Sequence, residues 1–213
     1  MARLRITEIF HSLQGEGASV GWRTVFVRLT GCPLRCGYCD TSYAFKGGEW
    51  WQIDAILDEV AGFDARYVTV TGGEPLAQPD CLGLLSALCD AGYQVSLETS
   101  GAIDVAPVDP RAVKVMDLKT PSSGECDKNL FRNLDCLRAG DQVKFVIADE
   151  ADYHWSCEQL RQHGLVMRCD VLFSPVAGAL PPTELAEWIL RDRLDVRFQI
   201  QLHKALWGDE PGR

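Results

Sequence analysis

No apolar run in this chain approaches the ~20 residues that span a bilayer. The apolar part of its opening, "MARLRITEIF", is too short for a secretory signal. A soluble, cytoplasmic protein with no membrane association is the expectation. The sequence also lacks a basic excess. Its 21 Lys and Arg stand against 30 Asp and Glu, a net charge of −9. That excludes a broad phosphate-binding surface for DNA or RNA, but not a small anionic substrate held by one or two arginines. Internal repeats and low-complexity tracts are absent. A further absence is local. "GCPLRCGYCD" holds Cys32, Cys36 and Cys39 in a C-x3-C-x2-C spacing, and no fourth Cys or His follows nearby.

What is present points to an α/β fold. The 213 residues, 46% of them hydrophobic, suffice for one domain spanning 1–213 with a substantial core. β-Branched runs predict strands over "TVFVRLT" (from Thr24), "RYVTVTG" (from Arg66), "GYQVSLET" (from Gly92), "AVKVMDL" (from Ala112), "QVKFVIA" (from Gln142), "DVLFSP" (from Asp170) and "VRFQIQL" (from Val196). Helical patterns lie between several of them. Ile53, Ile56, Leu57 and Val60 recur at i, i+3, i+4, i+7. "PDCLGLLSALCDAG" opens near Pro79 and stops at Gly92. "ADYHWSCEQLRQHG" and "TELAEWILRDR" read the same way. Such alternation implies parallel strands with right-handed crossovers, and a site at their C-terminal ends. "TGCPLRCGYC", "TGGEP", "ETSG", "DLKTPSSGE", "SPVAG" and "QLHK" fall at those ends.

Nine cysteines, an odd number, make a poor disulfide framework in a reducing compartment. Cys81 and Cys89 share a helical stripe with Leu85 and Leu88 and read as core, as does Cys157. Cys126 and Cys136 flank a polar loop. Two readings of the cysteine motif stay open on spacing alone. One is a closed four-ligand site completed by a distant cysteine, a structural zinc. The other is a metal centre with a position left open for a ligand.

Tyr38 sits just before the third cysteine, and C-x3-C-x-φ-C with an aromatic φ resembles the cluster signature of radical S-adenosylmethionine enzymes. "TGGEP", from Thr71 to Pro75, resembles the Gly-Gly-Glu motif of the same superfamily. The segment "EIFHSLQGEGASVGWRTVFVRLTGCPLRCGYCDT" is similar to the 7-carboxy-7-deazaguanine synthase family, notably in its "IF-x-S-x-QGEG" element, and the likeness extends through "ETSG" to "QLHKALWG".

The resemblance implies an abbreviated, partly open (β/α) barrel of about six parallel strands, preceded by a short N-terminal substrate-binding segment. It implies a homodimer carrying a [4Fe-4S] cluster, S-adenosylmethionine and Mg2+, fed electrons by an external reductant such as flavodoxin. The implied reaction converts a pterin, 6-carboxy-5,6,7,8-tetrahydropterin, to 7-carboxy-7-deazaguanine with loss of ammonia, on the route to queuosine and related 7-deazapurines. Cys32, Cys36 and Cys39 match the cluster ligands and Thr41 the Mg2+ ligand. Tyr38, Cys39, Asp40, Gly73 and Glu74 match cofactor contacts, with Lys119, Ser122 and Ser174 proposed for its outer parts. Leu13, Gln14, Gly15, Arg28 and Thr71 match substrate contacts. His203, at the end of the last predicted strand, is placed facing the substrate. In some members the C-terminal carboxylate reaches the substrate; here the tail ends at Arg213. Two rivals remain: an enzyme that forms a glycyl radical on a partner protein, and a non-catalytic metal module.

Overall fold

The structure, a computed structural model, describes residues 2–208, Glu210 and Gly212. Its elements in chain order are β1 (Arg3–Leu13), β2 (Arg23–Leu29), β3 (Glu49–Gln52), α1 (Ile53–Ala61), β4 (Tyr67–Gly72), α2 (Cys81–Asp90), β5 (Gln94–Thr99), β6 (Val113–Asp117), β7 (Gln142–Ile147), α3 (Glu150–His163), β8 (Asp170–Pro175), α4 (Pro182–Asp192), β9 (Arg197–Phe198) and α5 (Leu202–Trp207). Short 3-10 turns occupy several of the connections. All these strands join one sheet in the order β3-β1-β2-β4-β5-β6-β7-β8-β9. From β2 to β9 every neighbouring pair is parallel, whereas β1 and β3 form an antiparallel edge. Among the described residues no helix is long and apolar enough to cross a membrane.

The period-2 alternation of the strands divides the molecule's chemistry. Val25, Val27, Leu29, Val68, Val70, Val95, Leu97, Val143, Phe145 and Phe173 are buried on the outer face, beneath the helices. α1 contributes Ile56 and Val60 to this layer, and α2 contributes Cys81, Leu84, Leu85 and Leu88. Removing each such side chain from water is worth about 1.5–3 kcal/mol. The intervening positions, Phe26 and Arg28 on β2, Thr69 and Thr71 on β4, Glu98 on β5, Asp117 on β6, Lys144 on β7 and Ser174 on β8, line a cavity on the inner face. The apolar core therefore lies between sheet and helices, and the barrel interior is left polar.

Helix ends follow local rules. The Asp149 carboxylate accepts from the Asp152 amide at 2.9 Å to cap α3, which ends on left-handed Gly164. α2 stops ahead of Gly92, whose φ is +89°.

One expectation is corrected. The strand predicted over "VRFQIQL" is only Arg197–Phe198, and Leu202 already opens α5. The Gln199 amide still reaches the Phe173 carbonyl of β8 at 3.0 Å, but the side chains and backbone that follow turn to bond across the barrel. The Gly17 amide donates to Gln199 Oε1 at 2.6 Å, and the Leu202 amide to the Gly15 carbonyl at 3.1 Å. The N-terminal segment is an eleven-residue strand registered on β2, with Glu8 opposite Arg28. β3, which pairs with its start, was not foreseen. The loop between β1 and β2 then reaches over to β7, where the Ala18 amide meets Gln142 Oε1 at 3.1 Å. It thereby bridges the open side of the sheet.

Candidate active site

At the C-terminal ends of the parallel strands the inner face opens into a cavity of 740 Å3, within the range of ligand pockets. Cys32, Cys36 and Cys39 line one wall on the loop after β2. Burial pushes the Cys32 and Cys36 thiols above their ordinary range, with the other cysteines of the motif contributing. Among the described residues no three His, Cys, Asp or Glu side chains are gathered tightly enough to hold a single metal ion. Thiolates bound to different irons of a cluster stand farther apart than ligands sharing one tetrahedral ion. Cys81, Cys157 and Cys169 are buried in the apolar layers, away from this wall.

The loop is held in place from three sides. The Arg35 guanidinium donates to the carbonyls of Cys32 and Leu34 at 2.7 and 2.6 Å and lies 4.4 Å from the Phe45 ring. The Gly37 amide meets the Ser123 carbonyl at 3.0 Å. The Glu74 amide donates to the Gly31 carbonyl at 2.8 Å. This last contact explains the double glycine of "TGGEP". A Cβ on Gly73 would run into the Gly31 carbonyl and stand 2.7 Å from Cys32 Cβ. Gly73→Ala is therefore expected to push the cysteine loop outward, costing about 1–3 kcal/mol and lowering the iron retained per chain after anaerobic reconstitution. Iron content together with a melting curve checks this.

Of the residues singled out from sequence, Leu13, Gln14, Gly15, Arg28, Tyr38, Asp40, Thr41, Thr71, Gly73, Lys119, Ser174 and His203 line the same cavity as the cysteines. Two do not. The Glu74 carboxylate is fully buried behind the cavity wall, accepting from Thr99 Oγ1, from the Leu76 amide and from both the amide and hydroxyl of Ser100. It ties "TGGEP" to "ETSG". Ser122 donates its hydroxyl to Asp149 and its amide to Asp152, outside the cavity. His203 lines the cavity, but from α5 rather than a strand end, and packs on Gly15. Burial lowers the pKa of its imidazole. Arg213 lies outside the described residues.

Arg28 is paired with a carboxylate on the neighbouring strand. Its Nε donates to Glu8 Oε1 at 2.7 Å, and Tyr43 donates to the same oxygen at 2.8 Å. The guanidinium carbon lies 5.7 Å from the Phe10 ring and 5.8 Å from that of Tyr43. Glu8 thus fixes the plane of the guanidinium through Nε. Thr71 is its cross-strand neighbour. Thr41 donates to Asp40 Oδ1 at 2.7 Å and makes no side-chain helix cap. Burial raises the Asp40 carboxyl, but hydrogen bonds from Thr41 and Gln201, with Lys204 nearby, hold it below its ordinary value. Tyr38 is pushed up to about 12, chiefly by burial.

Sequence reasoning missed a buried charge cluster on the cavity floor. Lys144 Nζ lies 2.6 Å from Glu16, 3.6 Å from Glu98 and 4.0 Å from Asp117. Burial disfavours the charge on Lys144, yet these carboxylates hold its pKa well above the ordinary value. Inward charges at alternating strand positions were the available signal, in "SLET", "VMDL" and "VKFV".

The fold and this loop define a class. A parallel half-barrel with three cysteines at the end of its first parallel strand is that of the radical S-adenosylmethionine superfamily, whose family model matches residues 26–117. The likeness becomes specific over the whole chain. The 7-carboxy-7-deazaguanine synthase of Chlorobaculum tepidum is 49% identical over 98% of this chain and 96% of that protein. That of Koribacter versatilis is 42% identical over 97% and 98%. The crystal structure of QueE from Escherichia coli superposes with a TM-score of 0.80 at 25% identity, covering 95% of this chain and 96% of the other. This chain belongs to the 7-carboxy-7-deazaguanine synthase family.

Proposed function

We propose that the protein converts 6-carboxy-5,6,7,8-tetrahydropterin to 7-carboxy-7-deazaguanine with release of ammonia. The observation that carries this reading is Arg28, its fork fixed by Glu8 on the wall of the cavity that the three cysteines also line. A carboxylated ring bound there meets a bidentate cation at one end and the cofactor wall at the other.

The residues fit the cofactors of the family. Cys32, Cys36 and Cys39 would hold a [4Fe-4S] cluster at three irons and leave the fourth for S-adenosylmethionine, which would lie along Tyr38, Gly73, Lys119 and Ser174. Bound there, cluster and cofactor would supply the radical chemistry that starts the reaction by hydrogen-atom abstraction. Thr41, beside the Asp40 carboxylate, offers a hard oxygen for Mg2+, which needs few protein ligands when substrate and water complete its shell. The protein's own share is placement. Arg28 holds the carboxylate, Thr71 offers a hydroxyl beside it, and the Leu13–Gln14–Gly15 backbone and His203 flank the ring. Lys119 is neutralised by Asp117 at 2.9 Å, so it presents a paired rather than a bare charge to the cofactor. An acidic flavodoxin-type reductant, a cytoplasmic location and a homodimer complete the reading.

The test is anaerobic reconstitution with iron and sulfide, then S-adenosylmethionine, reductant and the carboxytetrahydropterin. Formation of the deazaguanine acid, detected by mass, supports the reading. Formation of a glycyl radical on a partner protein instead would place the chain among activating enzymes.

A further inference from the structure

A second cavity, of 520 Å3, opens at the opposite, N-terminal end of the strands, near Trp22, Tyr67, Tyr93 and Val113. Three side chains line both cavities: Gln14, Glu16 and Glu98. The partition between the substrate cavity and this lower one is therefore a single layer of polar side chains. Two of the three are held by hydrogen bonds, and Glu98 lies 3.6 Å from Lys144 Nζ. Gln14 Nε2 donates to Thr69 Oγ1 at 2.9 Å, and Glu16 accepts from Lys144 and Gln201. A hydroxyl pair also crosses the layer: Thr69 lines the upper cavity, Ser96 the lower, and their oxygens are 2.8 Å apart.

We propose that Glu98 carries protons between the substrate cavity and the water of the lower cavity. The proposal rests on the lyase reading above. The product has fewer C–H bonds than the substrate, and the departing nitrogen leaves with more N–H bonds than it had in the ring. Protons must therefore leave carbon and arrive on nitrogen, with no oxidant needed beyond the hydrogen atom that the radical borrows. With substrate and cofactor filling the upper cavity, water is displaced there, and the open route for protons is downward. In the step proposed, the electron pair of the breaking C–H bond stays with the ring and its proton passes to the Glu98 carboxylate. The neutral acid then releases that proton to water below or returns it to the leaving nitrogen.

The charged groups facing Glu98 are Lys144 on β7, Glu16 on the β1–β2 loop and Asp117 on β6; β4 presents the Thr69 and Thr71 hydroxyls. Burial raises the carboxyl, Lys144 opposes it, and Glu16 and Asp117 raise it further, so that it titrates at about 7. A group with that value both accepts and donates protons near neutrality.

The experiment compares the reconstituted enzyme with Glu98→Gln and Val113→Phe, reading kcat, KM and pH profile. Glu98→Gln keeps the shape but cannot carry a proton. Its kcat should fall about a hundredfold, with KM within about twofold and the rate limb near pH 7 gone. Hydrogen transfer from substrate to the deoxyadenosyl group should persist. Val113→Phe fills the lower cavity without touching the upper. It should lower kcat several-fold and enlarge the solvent deuterium effect, leaving KM unchanged. Unchanged kcat and pH profile in Glu98→Gln, or a rise in KM alone, overturns the proposal, as does a Val113→Phe enzyme indistinguishable from wild type. Failure of the wild-type enzyme to form the deazaguanine acid is distinguishable, and removes the lyase reading with the proposal.

Discussion

Cys36→Ala is expected to abolish product formation and leave the chain folded. Cys36 is half-buried on a loop fastened through Arg35, through Gly37 to Ser123, and through Glu74 to Gly31, and the side-chain contacts among these do not use its sulfur. The fold should therefore survive the loss of one thiol, with a melting temperature within a few degrees of wild type. The cluster should not, because two thiolates leave two irons without protein ligands. Iron content, the broad visible absorbance of the reconstituted protein and the electron paramagnetic signal after reduction should all collapse together. A variant that retained its cluster would mean that another cysteine had replaced Cys36, and the half-buried Cys126, next to the Glu125 that accepts from the Arg35 amide, is the one to remove with it.

Arg28→Ala is expected to act on the substrate rather than on the cluster. A charge-assisted hydrogen bond is worth about 1.5–3 kcal/mol, and each 1.4 kcal/mol is tenfold in affinity. Loss of the fork should raise KM on the order of a hundredfold while iron content and S-adenosylmethionine binding stay unchanged. Arg28→Lys keeps the charge but not the planar fork, and should recover only part of that affinity. Glu8→Gln should weaken substrate binding modestly, because the fork then loses the carboxylate that fixes its plane. Equal falls in kcat for all three variants, with KM constant, would move Arg28 from substrate binding to the chemical step.

Much of this site could be read from the chain because its signals are local. The three cysteines and Tyr38 lie within one loop, and the alternation Val25–Phe26–Val27–Arg28–Leu29 already separates a buried face from the one that bears the arginine. The same alternation on later strands gave the parallel sheet. What sequence could not supply was set by partners distant in the chain. Glu74 sits in a motif that suggests a cofactor contact, yet Thr99 and Ser100, about 25 residues on, claim its carboxylate. "VRFQIQL" has the composition of a strand, but Gln199 and Gln201 bond to the "QGEG" loop some 180 residues earlier, and the chain turns into α5. The buried Lys144 cluster joins residues from the β1–β2 loop, β5, β6 and β7, and only the closed sheet brings them together.

The central claim is that the cysteine wall and Arg28 serve one substrate in one cavity. Its most direct test uses carboxytetrahydropterin deuterated at the ring carbon that bears the carboxylate. The wild-type enzyme with S-adenosylmethionine and reductant should move deuterium into the 5′-deoxyadenosyl group and form 7-carboxy-7-deazaguanine. Arg28→Ala should do so only at raised substrate concentration. Cofactor cleavage without deuterium transfer, or zinc held tightly by four sulfurs in the purified protein, would contradict it.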